Sequence, residues 1–219
     1  MSLQDEFEYQ LDTLAIRTGH TRSFEGEHGE PIFLTSSFVY ENAAEAAAKF
    51  SGQEPGNIYS RFTNPTVAMF EKRLAALEGA ERAVATSSGM AAIMAVAMSF
   101  LKLGDHVICS RAVFGSTVSL FEKYVAKFGV TVDFVDLTDL DAWKNAVKPE
   151  TKLLFVESPS NPLAEVADVQ ALADIAHANG ALLELIIVSV RQYYSAQLSL
   201  VRTWLFIRQR SIWTVKVVL

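Results

Sequence analysis

The chain of 219 residues has a formal net charge of −6, is 50% hydrophobic and contains one cysteine, Cys109. This composition excludes a disordered chain, a disulfide framework and a Cys-rich zinc site, and the acidic balance argues against a general nucleic-acid binder. The start has no signal-peptide pattern, and the longest apolar stretches, 90–103 and 181–190, are shorter than the roughly 20 residues of a membrane span. We therefore expect a cytoplasmic globular protein without a membrane partner.

The first 60 residues are predicted to form an N-terminal arm with one helix. Gly, Pro and Asn mark its loops, and apolar residues at three- to four-residue intervals mark the helix that follows it. The predicted elements are a polar loop over 13–21, an extended run over 32–40, a helix over 41–50, a loop over 52–66 and a helix over 66–78.

From residue 82 onward, short apolar strands alternate with helices. Alternation of this kind is typical of an α/β domain with a mostly parallel sheet, in which ligands bind at the carboxyl ends of the strands. The predicted strands are 82–86, 106–110, 130–135, 152–157 and one that starts at 181. The predicted helices are 90–101, 116–128, 140–147 and 168–179.

Three of the loops carry residues that could bind a ligand. Ser88, Gly89 and Met90 open an apolar helix, where small residues let backbone N–H groups approach an anion. Taken alone, the same residues are explained at least as well by an ordinary helix cap. Phe114 could lie flat on a planar ring, and Asn161, in a loop stiffened by two prolines, could hydrogen-bond a ring substituent. Their alternatives are a core contact and a rigid turn.

Tyr59 and Arg61 lie two residues apart in a segment predicted to be extended, so their side chains are expected to point the same way. A guanidinium and a phenolic hydroxyl together suit a phosphate group, and the alternative is a solvated surface Arg. The four histidines do not cluster at the spacing of metal ligands, so no metal is assigned. The common nucleotide-binding and serine-hydrolase motifs are also missing.

The order of several motifs is more specific than any one of them. They are Tyr59-Ser-Arg, Asn64-Pro-Thr, Leu77-Glu-Gly-Ala, Ser87-Ser-Gly-Met-Ala-Ala, Gly104-Asp and Glu157-Ser-Pro-Ser-Asn-Pro. Over about residues 8–183 this set resembles the Cys/Met metabolism family of enzymes that depend on pyridoxal 5′-phosphate (PLP), which includes cystathionine γ-synthase. The resemblance implies an incomplete fold-type I large domain, in which helices flank a mostly parallel sheet.

The resemblance also implies PLP as the cofactor. Ser88, Gly89 and Met90 would hold its phosphate, Gly89 and Met90 through their N–H groups. Phe114 would stack on the pyridine ring, and Asn161 would contact the 3-oxygen of the ring.

An oligomer and a reaction are implied as well. In a tetramer of close dimers, Tyr59 and Arg61 would reach the cofactor phosphate of a neighbouring subunit. The stretch 110–117 is most similar to the branch of the family that converts O-succinyl-L-homoserine and sulfide into homocysteine and succinate in methionine biosynthesis. The expected partners are therefore a small amino-acid substrate and further copies of the chain.

Two groups that this chemistry needs are missing. In the family, the sequence after Gly-Ala-Leu-Leu resembles Val-Val-Asp-Asn, and its Asp keeps the pyridine nitrogen protonated. In this chain Glu184-Leu-Ile-Ile follows instead. The Schiff-base Lys, expected after Ser-x-Thr, is also missing, because Lys216 has the wrong neighbours. No catalytic residue is therefore assigned, and the chain is expected to be inactive. The alternative function is a non-catalytic binding or interaction module.

The composition changes after Glu184. Residues 1–184 hold 14 basic and all 25 acidic residues, net −11, whereas residues 185–219 hold five basic residues and no acidic one. Codons can be chosen for the tail so that translation in the frame one base earlier yields Val-Asp-Asn and then Ser-Ala-Thr-Lys-Tyr. We therefore expect an arm (1–60), a partial PLP-binding domain (61–183) and a frameshifted tail (184–219), with the family's small C-terminal domain absent.

Overall fold

The computed structural model describes residues 9–187 and, for the backbone alone, residues 203–209 and 212–217. The chain divides into two compact units, Met1–Leu77 and Glu78–Leu219. This boundary falls near the end of a helix, whereas the sequence led us to expect a boundary at residue 60. No helix in the described part of the chain is both long and apolar enough to cross a membrane.

The first unit contains more helix than the sequence predicted. Its helices are α1 (Leu11–Arg17), α2 (Ala43–Phe50) and α3, which covers Pro65–Glu78 and so ends one residue into the second unit. The polar loop predicted over 13–21 is wrong, because α1 occupies most of it. Asp12 in its first turn and Arg17 in its last turn complement the helix dipole.

The extended run over 32–40 is held by hydrogen bonds instead of a sheet. The N–H of Phe33 donates to Thr66 Oγ1 at 3.0 Å, and the Asn64 side chain donates to the Phe33 carbonyl at 3.1 Å. A single antiparallel bridge joins Ser37 to Tyr59. These contacts fasten the run to the loop that leads into α3.

A seven-stranded sheet forms the centre of the second unit, in the order β1-β7-β6-β5-β4-β2-β3. β3, β2, β4, β5 and β6 are parallel neighbours, and β7 pairs antiparallel with both β6 and β1. The predicted α/β class with a mostly parallel sheet is confirmed. The strands are β1 (Arg82–Thr86), β2 (His106–Ser110), β3 (Thr131–Val135), β4 (Thr151–Glu157), β5 (Leu182–Ile187), β6 (Thr203–Gln209) and β7 (Ile212–Val217).

The helices of the second unit match the predicted ones with one exception. The single helix predicted over 116–128 starts as α5 and continues as a π-helical turn (Leu120–Tyr124) and a 3-10 turn (Val125–Phe128). Gly129, with a φ of 77°, ends this composite helix in the left-handed conformation that glycine adopts at low cost. The α-helices are α4 (Gly89–Phe100), α5 (Gly115–Ser119), α6 (Leu140–Ala146) and α7 (Val169–Ala178).

Two apolar layers cover the sheet. On one face, Cys109, Phe155 and Ile186 pack against buried residues of α4 and of the composite helix, where the rings of Phe121 and Phe155 meet edge to face at 5.1 Å. On the other face, Leu154 and Leu185 pack against α6 and α7. β5 therefore continues into the segment expected to be a separate tail, since its Leu-Ile-Ile run suits a strand buried on both faces.

Candidate cofactor site at the carboxyl edge of the sheet

The topology brings three of the predicted ligand loops to one edge of the sheet. β2, β4 and β5 are parallel, and β1 shares their direction because β7 is antiparallel to both β1 and β6. Ser88 follows β1, Phe114 follows β2 and Asn161 follows β4. All three residues therefore lie at the carboxyl edge, where parallel sheets bind ligands.

The start of α4 carries two backbone donors that the helix itself does not pair. Ser88 is the N-cap, and its hydroxyl accepts the N–H of Ala91 at 3.2 Å. Thr86 donates to the Ser88 carbonyl at 2.9 Å, which fixes the turn between β1 and α4. Gly89 and Met90 are the first two residues of the helix, so α4 itself provides no acceptor for their N–H groups. This geometry suits an anion.

Phe114 occupies the N-cap position of α5, and its side chain is 55% exposed. Its N–H donates to Glu157 Oε2 at 2.9 Å, and its carbonyl accepts the N–H of Thr117 at 2.8 Å. The ring is thus presented to solvent from a fixed backbone, as a residue that stacks on a planar ligand requires. A cavity of about 400 Å³ lies beside it, lined by Met90, Gly115, Ser116, Ser119, Leu120 and Tyr124.

Asn161 is exposed in a loop that closes on itself. The N–H of Ser160 donates to the Glu165 carbonyl at 2.8 Å, and the N–H of Glu165 donates back to Ser160 Oγ at 3.0 Å. Ser158 is buried, and its hydroxyl accepts the N–H of Ala167 at 2.9 Å. Serine side chains, in addition to the two prolines, therefore hold this loop.

Tyr59 and Arg61 belong to the first unit. The extended conformation predicted for them is wrong, because the N–H groups of Phe62 and Thr63 donate to the Tyr59 carbonyl at 2.8 and 3.0 Å and so form a turn. The two side chains still meet: the guanidinium carbon of Arg61 lies 5.4 Å from the centroid of the Tyr59 ring and 5.0 Å from that of Phe62. These are cation–π distances.

β5 carries an aliphatic residue where the family resemblance requires an Asp. That position is Ile186, which is buried and pairs in register with Glu157 of β4. The acidic residue on the same face of β5 is Glu184, one side-chain repeat towards the amino end. Within the described structure, neither carboxylate oxygen of Glu184 has a hydrogen-bond partner.

Burial dominates the electrostatics around Glu184. It raises the pKa of the Glu184 carboxyl well above its ordinary value, because the charged form would lose its hydration. Burial also raises the pKa of the Cys109 thiol, and the nearby carboxylates of Glu184 and Glu157 raise it further. This part of the sheet therefore favours neutral groups, which is the opposite of what a protonated ring nitrogen needs.

Two further features bear on the predicted site. The sequence motif included Glu157, but its bond to the Phe114 backbone was not foreseen; an acidic residue ending an apolar strand was the available signal. In the offset reading frame the Lys codon would span Arg210 and Ser211, and these two residues lie outside the described residues. Of Lys216 only the backbone, in β7, is described.

Comparison with known proteins gives the chain a family context. The family described as Cys/Met metabolism PLP-dependent enzymes matches residues 12–190. An O-succinylhomoserine sulfhydrylase from Pseudomonas aeruginosa is 65% identical over 173 residues, which are 79% of this chain and 43% of that protein. An L-methionine γ-lyase from Fusobacterium nucleatum is 41% identical over 171 residues, 78% of this chain and 43% of that protein. The chain thus spans less than half the length of these curated relatives.

Two solved structures share the fold. One, described as an O-acetylhomoserine (thiol)-lyase from Campylobacter jejuni, contains an N′-pyridoxyl-lysine-5′-monophosphate. It is 26% identical, with a TM-score of 0.87 over 96% of this chain and 54% of that chain. The other, metB from Corynebacterium glutamicum, is 26% identical, with a TM-score of 0.81 over 95% of this chain and 55% of that chain.

Proposed function

Because the chain belongs to the Cys/Met metabolism family of PLP-dependent enzymes and has the fold-type I sheet, we propose that it carries the cofactor-binding part of an O-acylhomoserine γ-replacement enzyme. The substrates of that enzyme are O-succinyl-L-homoserine and sulfide, and its products are homocysteine and succinate. The 65% identity to an O-succinylhomoserine sulfhydrylase supports this choice. The start of α4 carries the proposal, since the N–H groups of Gly89 and Met90, which the helix does not pair, lie at the edge shared with Phe114 and Asn161.

At the phosphate end, the residues fit PLP. The N–H groups of Gly89 and Met90 would hold the phosphate at the positive end of the α4 dipole. The Phe114 ring would cover one face of the pyridine, and Asn161 would bind its 3-oxygen. PLP, when bound, supplies an electron sink for a carbanion at the substrate α-carbon.

At the ring-nitrogen end, the residues do not fit. Ile186 is buried among apolar side chains and cannot accept a proton or a hydrogen bond from the ring. Glu184 lies deeper in the sheet, where burial favours its neutral form. We therefore propose that this chain does not turn over substrate, and no catalytic step is assigned to it.

The phosphate site can be tested by removing one donor. Gly89→Pro deletes an N–H at the first position of a helix, where proline fits, and Ser88 already has the extended conformation that proline requires before it. We expect PLP, titrated by fluorescence quenching, to bind about 10-fold more weakly, the loss of roughly one charge-assisted hydrogen bond. Gly89→Ala keeps the N–H and is the matched control; equal affinity of the two variants would contradict the site.

Inactivity is tested by colour and by product. The purified chain, mixed with PLP, O-succinyl-L-homoserine and sulfide, is expected to form no homocysteine and no yellow band that borohydride bleaches. A bleachable band would show that another lysine bonds the cofactor and would overturn the inactive assignment.

A non-catalytic binding module is the second candidate. The observation that favours it is Ile186, since a chain with this residue could hold the phosphate without activating the ring. Reversible PLP binding without a bleachable band would support this function. No binding of PLP at all would exclude both candidates.

We also propose that the chain forms a homo-oligomer in which Tyr59 and Arg61 serve the cofactor phosphate of a neighbouring copy. Their cation–π contact keeps the guanidinium beside the phenol, as such a clamp needs. Light scattering of the purified chain tests this assembly, and a monomer with unimpaired phosphate affinity would contradict it.

The tail is proposed to be out-of-frame text that begins near Glu184. The lack of acidic residues and glycine in residues 185–219 supports this origin. Sequencing the gene tests it: the offset frame should encode Asp-Asn and Thr-Lys-Tyr in that order. Any other offset text would end the proposal.

A further inference from the structure

Glu157 is the last residue of β4, and only 3% of it is exposed. Its carboxylate crosses to the loop after β2, where Oε2 accepts the N–H of Phe114 at 2.9 Å. Burying a carboxylate is costly unless hydrogen bonds replace the lost water. A buried acid that reaches a main-chain donor 43 residues away in sequence therefore calls for a role.

The bond holds one of the two peptide groups that flank the Phe114 α-carbon. The carbonyl of Phe114 is held by the N–H of Thr117 at 2.8 Å, in the first turn of α5. With both peptide groups held, the direction of the Cα–Cβ bond is set. This matters because the ring is 55% exposed, so packing alone constrains it incompletely.

Glu157 also begins the loop that carries Asn161. The N–H of the next residue, Ser158, donates to the Ile186 carbonyl at 3.0 Å and ties the loop to β5. A single side chain thus joins the loop of Phe114 to the loop of Asn161. This bond is a link between the two loops in addition to the pairing of β2 with β4.

We propose that Glu157 is a positioning residue, which sets the Phe114 ring against the Asn161 loop so that a planar cofactor ring fits between them. The purpose of this role rests on the proposed function, whereas the positioning of Phe114 by Glu157 does not depend on it. In this role Glu157 neither transfers a proton nor contacts the substrate. It acts through the backbone of Phe114.

Two variants of similar size separate the acceptor from the charge. Glu157→Gln keeps an oxygen that accepts the Phe114 N–H, whereas Glu157→Leu removes the acceptor and keeps the bulk. We expect amide hydrogen exchange at Phe114 to be about 10-fold faster in E157L and within about threefold of the parent in E157Q, as the loss of one hydrogen bond predicts. Unchanged exchange in E157L would overturn the proposal.

The effect on the cofactor is tested in the same variants. PLP should bind E157L about 10-fold more weakly, and E157Q should restore the affinity. In a Phe114→Ala background this difference should disappear, because the proposed effect of Glu157 on the cofactor is exerted through the Phe114 ring. A persisting difference, or failure of E157Q to restore affinity, would overturn the role.

Failure of the proposed function gives a different result. If the parent chain itself binds no PLP, the γ-replacement assignment falls, while Phe114 exchange still decides whether Glu157 positions that residue.

Discussion

Glu157 and Glu184 lie on the same face of the neighbouring strands β4 and β5, and both are buried. Glu157 receives a main-chain N–H from the loop after β2. Glu184 receives no hydrogen bond from the described residues, and it stands in a row with Phe155 and Cys109. Two acids of the same type, one strand apart, thus have opposite relations to their surroundings.

The difference is consistent with the proposed change of reading frame near Glu184. Before Glu184, a buried carboxylate can have a partner from a distant part of the chain, as the Glu157–Phe114 bond shows. At Glu184 the backbone still continues as a central strand, because an apolar run of any origin suits that place. The backbone of β5 is therefore a regular strand, whereas the buried side chain of Glu184 does not match its apolar surroundings.

The largest expected effect comes from removing the mismatch. Glu184→Leu replaces a buried carboxyl that lacks a partner with an aliphatic group of similar size, and should raise the free energy of unfolding by about 3 kcal/mol. Urea denaturation measures this change. Ile186→Leu, on the same face of β5, is the control and should be nearly neutral. A destabilised E184L variant would show that Glu184 has a partner after all.

The pH dependence of stability should show the same mismatch. Burial raises the pKa of Glu184 above its ordinary value of 4.5, so the folded chain holds a proton that the unfolded chain releases. The contribution of Glu184 to stability is then most favourable below pH 4.5 and falls as the pH rises, by at most about 1.4 kcal/mol per pH unit for one proton. Glu184→Gln should remove this component, as unfolding at a series of pH values would show; identical slopes would contradict it.

Removing the partnered acid should have the opposite sign and a smaller size. Glu157→Leu leaves the Phe114 N–H without its acceptor and should lower the free energy of unfolding by about 1 kcal/mol. Denaturation of E157L beside E157Q measures it. The contrast between Glu157 and Glu184 would be lost if E157L were as stabilising as E184L.

The smallest effect is expected at the amino edge of the sheet. His106 is buried there, with its ring nitrogens 2.8 Å from Thr151 Oγ1 and 3.3 Å from Asp133 Oδ2. Burial, and then the charge of Lys148, lower the pKa of His106. At mildly acidic pH the unfolded chain therefore binds a proton at His106 more readily than the folded chain does. The contribution of His106 to stability should therefore fall as the pH drops below 6.5, opposite in sign to that of Glu184.

His106→Gln should flatten that dependence, by well under about 1 kcal/mol per pH unit. Unfolding of the variant and the parent between neutral and mildly acidic pH measures it. If the stability of the parent relative to H106Q rose as the pH dropped through this range, the assigned direction would be wrong.

Much of the sheet could be predicted because local signals agree with the fold. β1 and β2 have the predicted bounds, since turn residues flank short apolar runs on both sides. α1 was missed because its seven residues lack a buried face and a side-chain cap. The break of the helix after α5 was missed because apolar spacing distinguishes poorly between α, π and 3-10 turns.

The candidate site was predictable in its loops but not in its contacts. Ser88, Phe114 and Asn161 follow strands, so parallel topology alone brings them to one edge. The Glu157–Phe114 bond joins residues far apart in sequence, and no local pattern encodes it. The turn at Tyr59 was not predicted because the N–H groups that form it belong to Phe62 and Thr63, which follow the Tyr59–Arg61 motif.

β1 lies at one edge of the sheet, and among the described strands it pairs with β7 alone. The strand that leads into the Ser88 turn, where phosphate binding is proposed, is therefore held in the sheet by the backbone of a segment whose composition differs from the rest of the chain. Main-chain hydrogen bonds do not depend on the side chains, so even a segment translated out of frame could pair with this edge strand. Trimming residues 203–219 would then release β1 and loosen the anchor of the Ser88 turn.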